Sequence, residues 1–368
     1  MNRTLLPTVL VVCLLAACGP DRRDAAERFE EAKGPPATRA VPARAETFVP
    51  DNPAVDADDP VLWADLEDPS RALLIGTDKS KGLYVHALDG RMLQFFPAGP
   101  LNNVDLRSGV MLGGVPRILV AAAERDRFGI ALWTLDPAAL RLTLAGFLAT
   151  PSTFGEPYGF CMGQWAGETF LIPNSKEGEV LAFRVTDGRS GPGMALAHRW
   201  KLGSQTEGCV VDDATGTLLV GEEDVGIWRL SLAYPEASPV LLAPVDGTRL
   251  VADVEGLTLM RDAGRTFLVA SSQGDSAYAV WELAPGADRY VGRFRIGGGA
   301  IDPVTQTDGL DAWSGPIGPF PQGAIAVHDH CDSPAASDPA SEVCDSDEKQ
   351  QNYKLIDWRD VKAALGLR

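Results

Sequence analysis

Histidine, amphipathic helical pattern and positive charge are all scarce in this chain, and each shortage closes off a class of function. Only 4 of 368 residues are His, and none stands in an Arg-His-Gly nucleophile motif, which excludes a histidine-type acid phosphatase. His86 and His198 fall within apolar, strand-like runs and read as structural. No Gly-x-Ser-x-Gly elbow is present for an acyl hydrolase, and no Cys or His spacing matches a zinc site. The long helical runs that a doubly wound sheet needs between its strands are missing; Asp360–Leu365 is a stretch of one or two helical turns. The formal charge of −17 argues against nucleic acid as a partner.

The N-terminus carries a processing signal. Asn2 and Arg3 precede an apolar run, Leu5–Ala17, that ends in Leu15-Ala16-Ala17-Cys18, a lipobox. The run is too short to span a bilayer. Residues 1–18 are therefore predicted to be a lipoprotein signal with a lipidated Cys18, the lipid being the only membrane attachment. Gly19 rather than Asp after the cysteine favours an exported protein on the outer membrane of a Gram-negative bacterium; a periplasmic or secreted protein is the alternative. Residues 19–50, rich in Pro, Ala, Arg and Glu, read as a flexible tether, leaving 51–368 as one folded domain. Removing residues 1–17 deletes only Arg3 and leaves a charge of −18.

The 6 cysteines divide by position. Cys13 leaves with the signal and Cys18 takes the lipid. Cys331 and Cys344 flank a Ser-, Ala- and Asp-rich insertion, whose natural reading in an oxidising compartment is a disulfide-closed loop. Cys161 and Cys209 each sit in an apolar strand, as two buried thiols or as a pair.

A repeat sets the architecture. Six segments opened by a small residue recur: Gly82-Leu-Tyr-Val, Gly129-Ile-Ala-Leu-Trp, Gly178-Glu-Val-Leu-Ala-Phe, Gly226-Ile-Trp-Arg-Leu, Ser276-Ala-Tyr-Ala-Val-Trp and Gly323-Ala-Ile-Ala-Val, at intervals of 47, 49, 48, 50 and 47 residues. A second apolar strand precedes most of them, a third follows, and a further strand leads each unit. Four short strands in about 48 residues make a propeller blade. The prediction is an all-β, six-bladed β-propeller with four-stranded blades around a central channel, needing no partner subunit. In its sixth unit the second strand is placed near 315–320, where Gly and Pro crowd the sequence, and the final strand at Tyr353–Trp358.

The charges follow the repeat. The start of each leading strand faces the channel mouth, and there the six units give Asp58-Asp59, Asn103 with Asp105, Glu156 with Tyr158, Glu207, Asp253 with Glu255, and Asp308. The turn between second and third strands, at the same end, gives Asp78-Lys79, Glu124-Arg125, Lys176-Glu177, Glu222-Glu223-Asp224 and Ser272-Gln273. Singly, such acids hold turns by accepting backbone hydrogen bonds. Converging on one cavity they repel one another, a cost that persists only where cations bind. Oxygen donors without His or thiolate favour calcium. Lys79, Arg125 and Lys176 at the rim are either salt-bridge partners or clamps for phosphate oxygens.

These residues resemble the bacterial β-propeller phytases. The resemblance rests on Asp56-Ala-Asp-Asp-Pro-Val-Leu-Trp63, Leu101-Asn-Asn-Val-Asp-Leu-Arg107, Tyr158-Gly-Phe160, Ser204-Gln-Thr-Glu-Gly208, Glu222-Glu-Asp224, Asp253-Val-Glu-Gly256, Ser271-Ser-Gln-Gly274 and Thr307-Asp-Gly309, in order, over roughly residues 50–360. It implies that Asp58, Tyr158, Glu207, Glu223, Asp253, Glu255 and Asp308 line a catalytic calcium cluster, and that Lys79, Arg125, Lys176 and Glu177 surround the phosphate being cleaved. It also implies a structural calcium at Asp59 with the main-chain oxygens of Pro60 and Val104, and another at Asp302 with Asp329. After Asp329 the family continues through a short acidic turn, whereas here His330-Cys331 opens the insertion and Asn352 follows it as a replacement ligand. The implied activity is calcium-dependent hydrolysis of phytate or calcium phytate by direct attack of a metal-bound water. A calcium propeller lactonase, which has no use for a basic rim, and a non-catalytic surface binding propeller are the alternatives.

Overall fold

Apolar runs of five to ten residues, broken by Gly, Asp and Pro turns, become strands. The computed structural model describes residues 39–48, 55–188, 191–332 and 351–368. Two short strands come first, β1 (Ala40–Pro42) and β2 (Ala45–Glu46). Blade one is β3 (Ala57–Ala64), β4 (Ala72–Asp78), β5 (Gly82–His86) and β6 (Met92–Phe96); blade two is β7 (Leu101–Leu112), β8 (Val115–Glu124), β9 (Gly129–Asp136) and β10 (Arg141–Ala149). Blade three is β11 (Pro157–Trp165), β12 (Glu168–Ser175), β13 (Glu179–Gly188) and β14 (Gly191–Lys201); blade four is β15 (Thr206–Asp212), β16 (Thr217–Glu222), β17 (Gly226–Ser231) and β18 (Val240–Pro244). Blade five is β19 (Val254–Asp262), β20 (Arg265–Ser272), β21 (Ala277–Leu283) and β22 (Arg289–Gly297). Blade six holds β23 (Leu310–Ser314), β24 (Gly323–Asp329) and β25 (Asn352–Asp357), followed by helix α1 (Trp358–Leu365), whose N-terminus is capped by the Asp357 carboxylate.

Each blade is an antiparallel meander, and the ring of six is the predicted propeller. Its closure is not where the sequence places it. The outermost strand of blade six is β2, which pairs with β25 through Ala45↔Leu355 and Glu46↔Lys354, while β1 adds a parallel fifth strand to blade five along β22. Consequently the Gly323 segment is the second strand of its blade, not the third, and Tyr353–Trp358 falls largely in the third strand, not the fourth. The stretch expected to be a strand at 315–320 is a turn with a single bridge, Ile317 to Phe320. The tether boundary moves too: residues 40–46 belong to the propeller, secured by the Arg44–Asp360 ion pair at 2.8 Å and the Thr47 N–H to Tyr353 carbonyl bond at 2.8 Å. Signal and lipobox lie outside the described residues.

The cores sit between blades. Val61, Trp63, Ile75 and Val85 of blade one pack against Leu106, Val120 and Trp133 of blade two, and Phe267, Val280 and Phe294 of blade five pack against Ile325, Ile356 and Trp358. Each such side chain contributes about 1.5–3 kcal/mol by leaving water.

Cys161 and Cys209 form a disulfide between β11 and β15, neighbouring strands at the channel, with Cα atoms 5.6 Å apart. The bond closes a 48-residue loop. A Cys161→Ala/Cys209→Ala protein is expected to lose about 2–4 kcal/mol of unfolding free energy, read from its urea midpoint; an unshifted midpoint would show that packing alone holds the two blades. Cys331 is also disulfide-bonded; Cys344, its expected partner, lies outside the described residues.

Candidate active site at the channel mouth

Five of the six channel strands carry the same irregularity. In blade one the register steps from Ala57↔Asp78 to Pro60↔Gly76, so that Asp58 and Asp59 bulge from the ladder. Equivalent steps free Asn102 and Asn103, Tyr158 and Gly159, Glu207 and Gly208, and Glu255 and Gly256. A bulge re-aims side chains that strict alternation would send to the blade faces, and here it turns them to the channel mouth. Glycine after the acid lets the next blade approach: a Cβ on Gly208 would lie 2.0 Å from the Glu255 carbonyl oxygen, and one on Gly309 would lie 2.0 Å from Asp59 Oδ1. The gaps are bridged by main-chain bonds from Gly256 N–H to Asp308 O and from Gly309 N–H to Asp58 O, both 3.1 Å.

The result is a buried carboxylate cluster. Single oxygens of Glu207, Glu223 and Glu255 lie within 4.8 Å of one another. Neutral amides brace it: Asn102 donates to Glu207 Oε1 at 2.8 Å, Gln205 to Glu223 Oε1 at 2.7 Å, and Gln273 to Asp308 Oδ1. Burial, with Glu207 next to it, pushes Glu223 up to about 9. Burial likewise raises Asp58 to about 8, helped by Glu207 and Asp308 and opposed by Lys79, and lifts Glu255 well above the usual carboxylate range. Tyr158, facing Glu207, Glu255 and Glu223, is held well above its ordinary value, first by the Glu207 charge and then by burial. Asp253, buried just before β19, adds its charge to those that raise Glu223.

The cations arrive on the turns expected of them. Asp78 accepts from the N–H groups of Ser80 and Lys81 at 2.9 and 3.0 Å, an Asx-type turn that points Lys79 inward. The Lys79 ammonium lies 2.8 Å from Asp308 Oδ2 and 3.1 Å from Asp58 Oδ1. Burial disfavours its charge, but Asp308, Asp58 and Glu207 outweigh that and raise it well above its ordinary value. Glu124 accepts from the Arg127 N–H at 2.7 Å and shapes the turn that carries Arg125. Ser175 Oγ accepts from the Glu177 N–H at 3.2 Å and shapes the turn of Lys176 and Glu177. Arg125 pairs with Glu156 at 2.5 Å, and Lys176 stands 3.5 Å from the same carboxylate. Both cations lie over the Tyr158 ring, 5.4 and 4.6 Å from its centre.

Three sequence expectations change. Asp105, taken with Asn103 as blade two's contribution to the ring, sits deeper in the channel, where its Oδ1 binds Arg107 at 2.8 Å and its Oδ2 accepts from Met162 N–H at 2.7 Å. Blade two supplies Asn102 instead. Asp302 and Asp329, expected to share a calcium, share the buried Lys354 ammonium, which also meets the Pro303 carbonyl at 3.1 Å. A lysine beside two acids was a signal the sequence could not place, because Lys354 reaches them only through strand pairing. Oxygen ligands remain nearby, where Glu46, Asp302 and Asp332 each bring an oxygen within 4.8 Å of the others, and Asn352 stands opposite Asp329 in the ladder. Finally, Glu222 is satisfied by Ser204 at 2.6 Å and Trp228 at 2.7 Å, so it supports the wall and leaves the cluster to Glu223. Asp59, Pro60 and Val104 line the upper channel together, with Asp59 Oδ2 accepting from Val104 N–H at 2.9 Å. His86, whose Nδ1–H donates to Gly90 O at 3.2 Å and which burial lowers to about 4, is structural, as expected.

Comparison with known proteins bears on this arrangement. The phytase family model matches residues 6–368. A 3-phytase of Bacillus subtilis (strain 168) is 33% identical over 321 residues, which cover 84% of this chain and 81% of that protein. With a match over nearly its whole length, the chain belongs to the phytase family and is a phytase.

Proposed function

We propose that this phytase releases inorganic phosphate and lower inositol phosphates from phytate or calcium phytate in a calcium-dependent reaction, by direct transfer to water and without a covalent phosphoenzyme. The observation that carries calcium is unmet charge. Beyond the Lys79 ion pair, both oxygens of the fully buried Asp58 accept no hydrogen bond, and neither does Glu255 Oε2. Buried carboxylates without partners cost several kcal/mol unless a cation or proton meets them, and an all-oxygen set suits calcium.

Asp58, Glu207, Glu223, Asp253, Glu255 and Asp308, with the Tyr158 hydroxyl, are the residues that would hold the ions. When bound, calcium offsets phosphate charge and makes water more acidic. The chain's own contribution is positional. Lys79 is fixed by Asp58 and Asp308 with its charge secured. Arg125 and Lys176, held side by side over Tyr158 by Glu156, present donors to phosphate oxygens, and Glu177 flanks them on the same turn. A basic rim around an acidic floor is what a polyanionic substrate on a cation site needs, and a lactonase has no use for it. Asp59, raised well above the usual carboxylate range by burial and by Asp58, is proposed as a structural calcium ligand with Pro60 and Val104. Between Asp302 and Asp329 no calcium is proposed, since Lys354 supplies the charge. Export and lipid attachment at Cys18 are proposed on the lipobox alone.

The test is phosphate release from phytate with calcium present and after chelation. Turnover is expected to vanish on chelation and return when calcium is restored; undiminished release in the chelator would overturn the calcium reading.

A further inference from the structure

Asp308 secures Lys79, and a chain of side chains in turn secures Asp308. His328, on β24, is fully buried, and its Nδ1 accepts the backbone N–H of Asp308 at 3.0 Å. A peptide N–H only donates, so Nδ1 carries no proton and Nε2 does. Nε2–H then donates to Gln351 Oε1 at 3.3 Å, which turns the Gln351 amide so that its nitrogen donates to His330 Nδ1 at 3.2 Å. Main-chain bonds run alongside: His328 N–H to Gly309 O at 3.0 Å and His330 N–H to Thr305 O at 3.2 Å. Every polar group in this line has one role fixed by its neighbour. The line ends on the loop that presents Asp308 to Lys79.

We propose that His328 is a positioning residue for Asp308, with Gln351 holding the ring in place through Nε2; this rests on the reading of Asp308 as part of the phytate-hydrolysing site. A histidine buried merely to fill the core would need no acceptor at Nδ1. Here the acceptor is the partner of the one main-chain N–H that sets where the Asp308 side chain starts. Without it that buried donor must find another acceptor, and the loop shifts, carrying Asp308 and Lys79 with it. Misplacement of about 1 Å costs about 10²-fold in rate.

His328→Leu removes the acceptor, and His328→Asn restores one through its amide oxygen. With phytate and saturating calcium, His328→Leu is expected to lose about 10²-fold in kcat with KM within about threefold of the parent, and His328→Asn to recover most of the loss. Circular dichroism and thermal melting check that each variant is folded. A folded His328→Leu protein with parental kcat, or a His328→Asn protein no better than it, would overturn the proposal. Should His328→Leu not fold, Gln351→Leu decides, since it leaves His328 in place but removes the acceptor that anchors its Nε2–H: a parental kcat refutes the positioning role, and a drop of about tenfold supports it. Asp308→Ala in the same assay separates the two layers of argument, because parental activity there would remove the site assignment itself, whatever His328 does.

Discussion

Glu207→Ala is expected to lower kcat for phosphate release from phytate by about 10²–10³-fold or more, the scale seen when one charge-stabilising group is removed from a preorganised site, while leaving the circular dichroism spectrum unchanged. Glu207 is the common neighbour of the cluster. It shares a 4.8 Å group with Glu223 and Glu255, and its charge is among the causes that raise Asp58, Glu223, Glu255 and Tyr158. Its removal relieves repulsion, so the fold does not suffer, but it deletes the carboxylate at the centre of the proposed ion site. Full activity in Glu207→Ala would place the chemistry elsewhere on the molecule.

The second large effect is on stability against pH. Without metal, Asp58 titrates at about 8 and Glu223 at about 9, whereas their unfolded values are near 4. The native state therefore binds more protons than the unfolded state between those limits, and stability falls as pH rises. Below about 4 the contribution is complete; it is lost as pH climbs through 8 and 9. Under the proposed function, bound calcium would reverse the penalty by giving the ionised carboxylates a partner. The melting temperature of chelated protein should thus drop from pH 5 to pH 9, and calcium should raise it far more at pH 9 than at pH 5, with a stabilisation of about 4 kcal/mol per site when calcium is a thousandfold above its Kd. Equal calcium shifts at both pH values, or no shift, would mean that the cluster is not the binding site.

Much of this was legible in the chain because a propeller writes its architecture as a period. The third strands of blades one to five, opened near Gly82, Gly129, Gly178, Gly226 and Ser276, fall where the spacing put them, and so do the turns bearing Lys79, Arg125 and Lys176. The sixth unit misled because its outer strand comes from residues 45–46, some 300 positions away in sequence, and no local pattern announces a partner that remote. Asp105 misled for the opposite reason. It lies two residues beyond a bulge, and in a strand that small offset decides between mouth and channel. Positions of the acids, and of Gln273 on its turn, could be read from the repeat; the bracing amides Asn102 and Gln205 could not, since Asn and Gln serve turns and surfaces just as often.

The pairing of β2 with β25 also sets the order of events in time. Blades one to five each form from contiguous chain and need only short loops to close, so they can condense early. Blade six lacks its outer strand until residues near 45 meet residues near 355, the longest-range strand pairing among the described residues. A growing chain cannot make that contact before its C-terminal strands emerge, so β2 must stay unpaired until β25 arrives. Any truncation that removes residues 355–368 would leave not a shorter propeller but an open one, with the edge of β24 exposed to other chains.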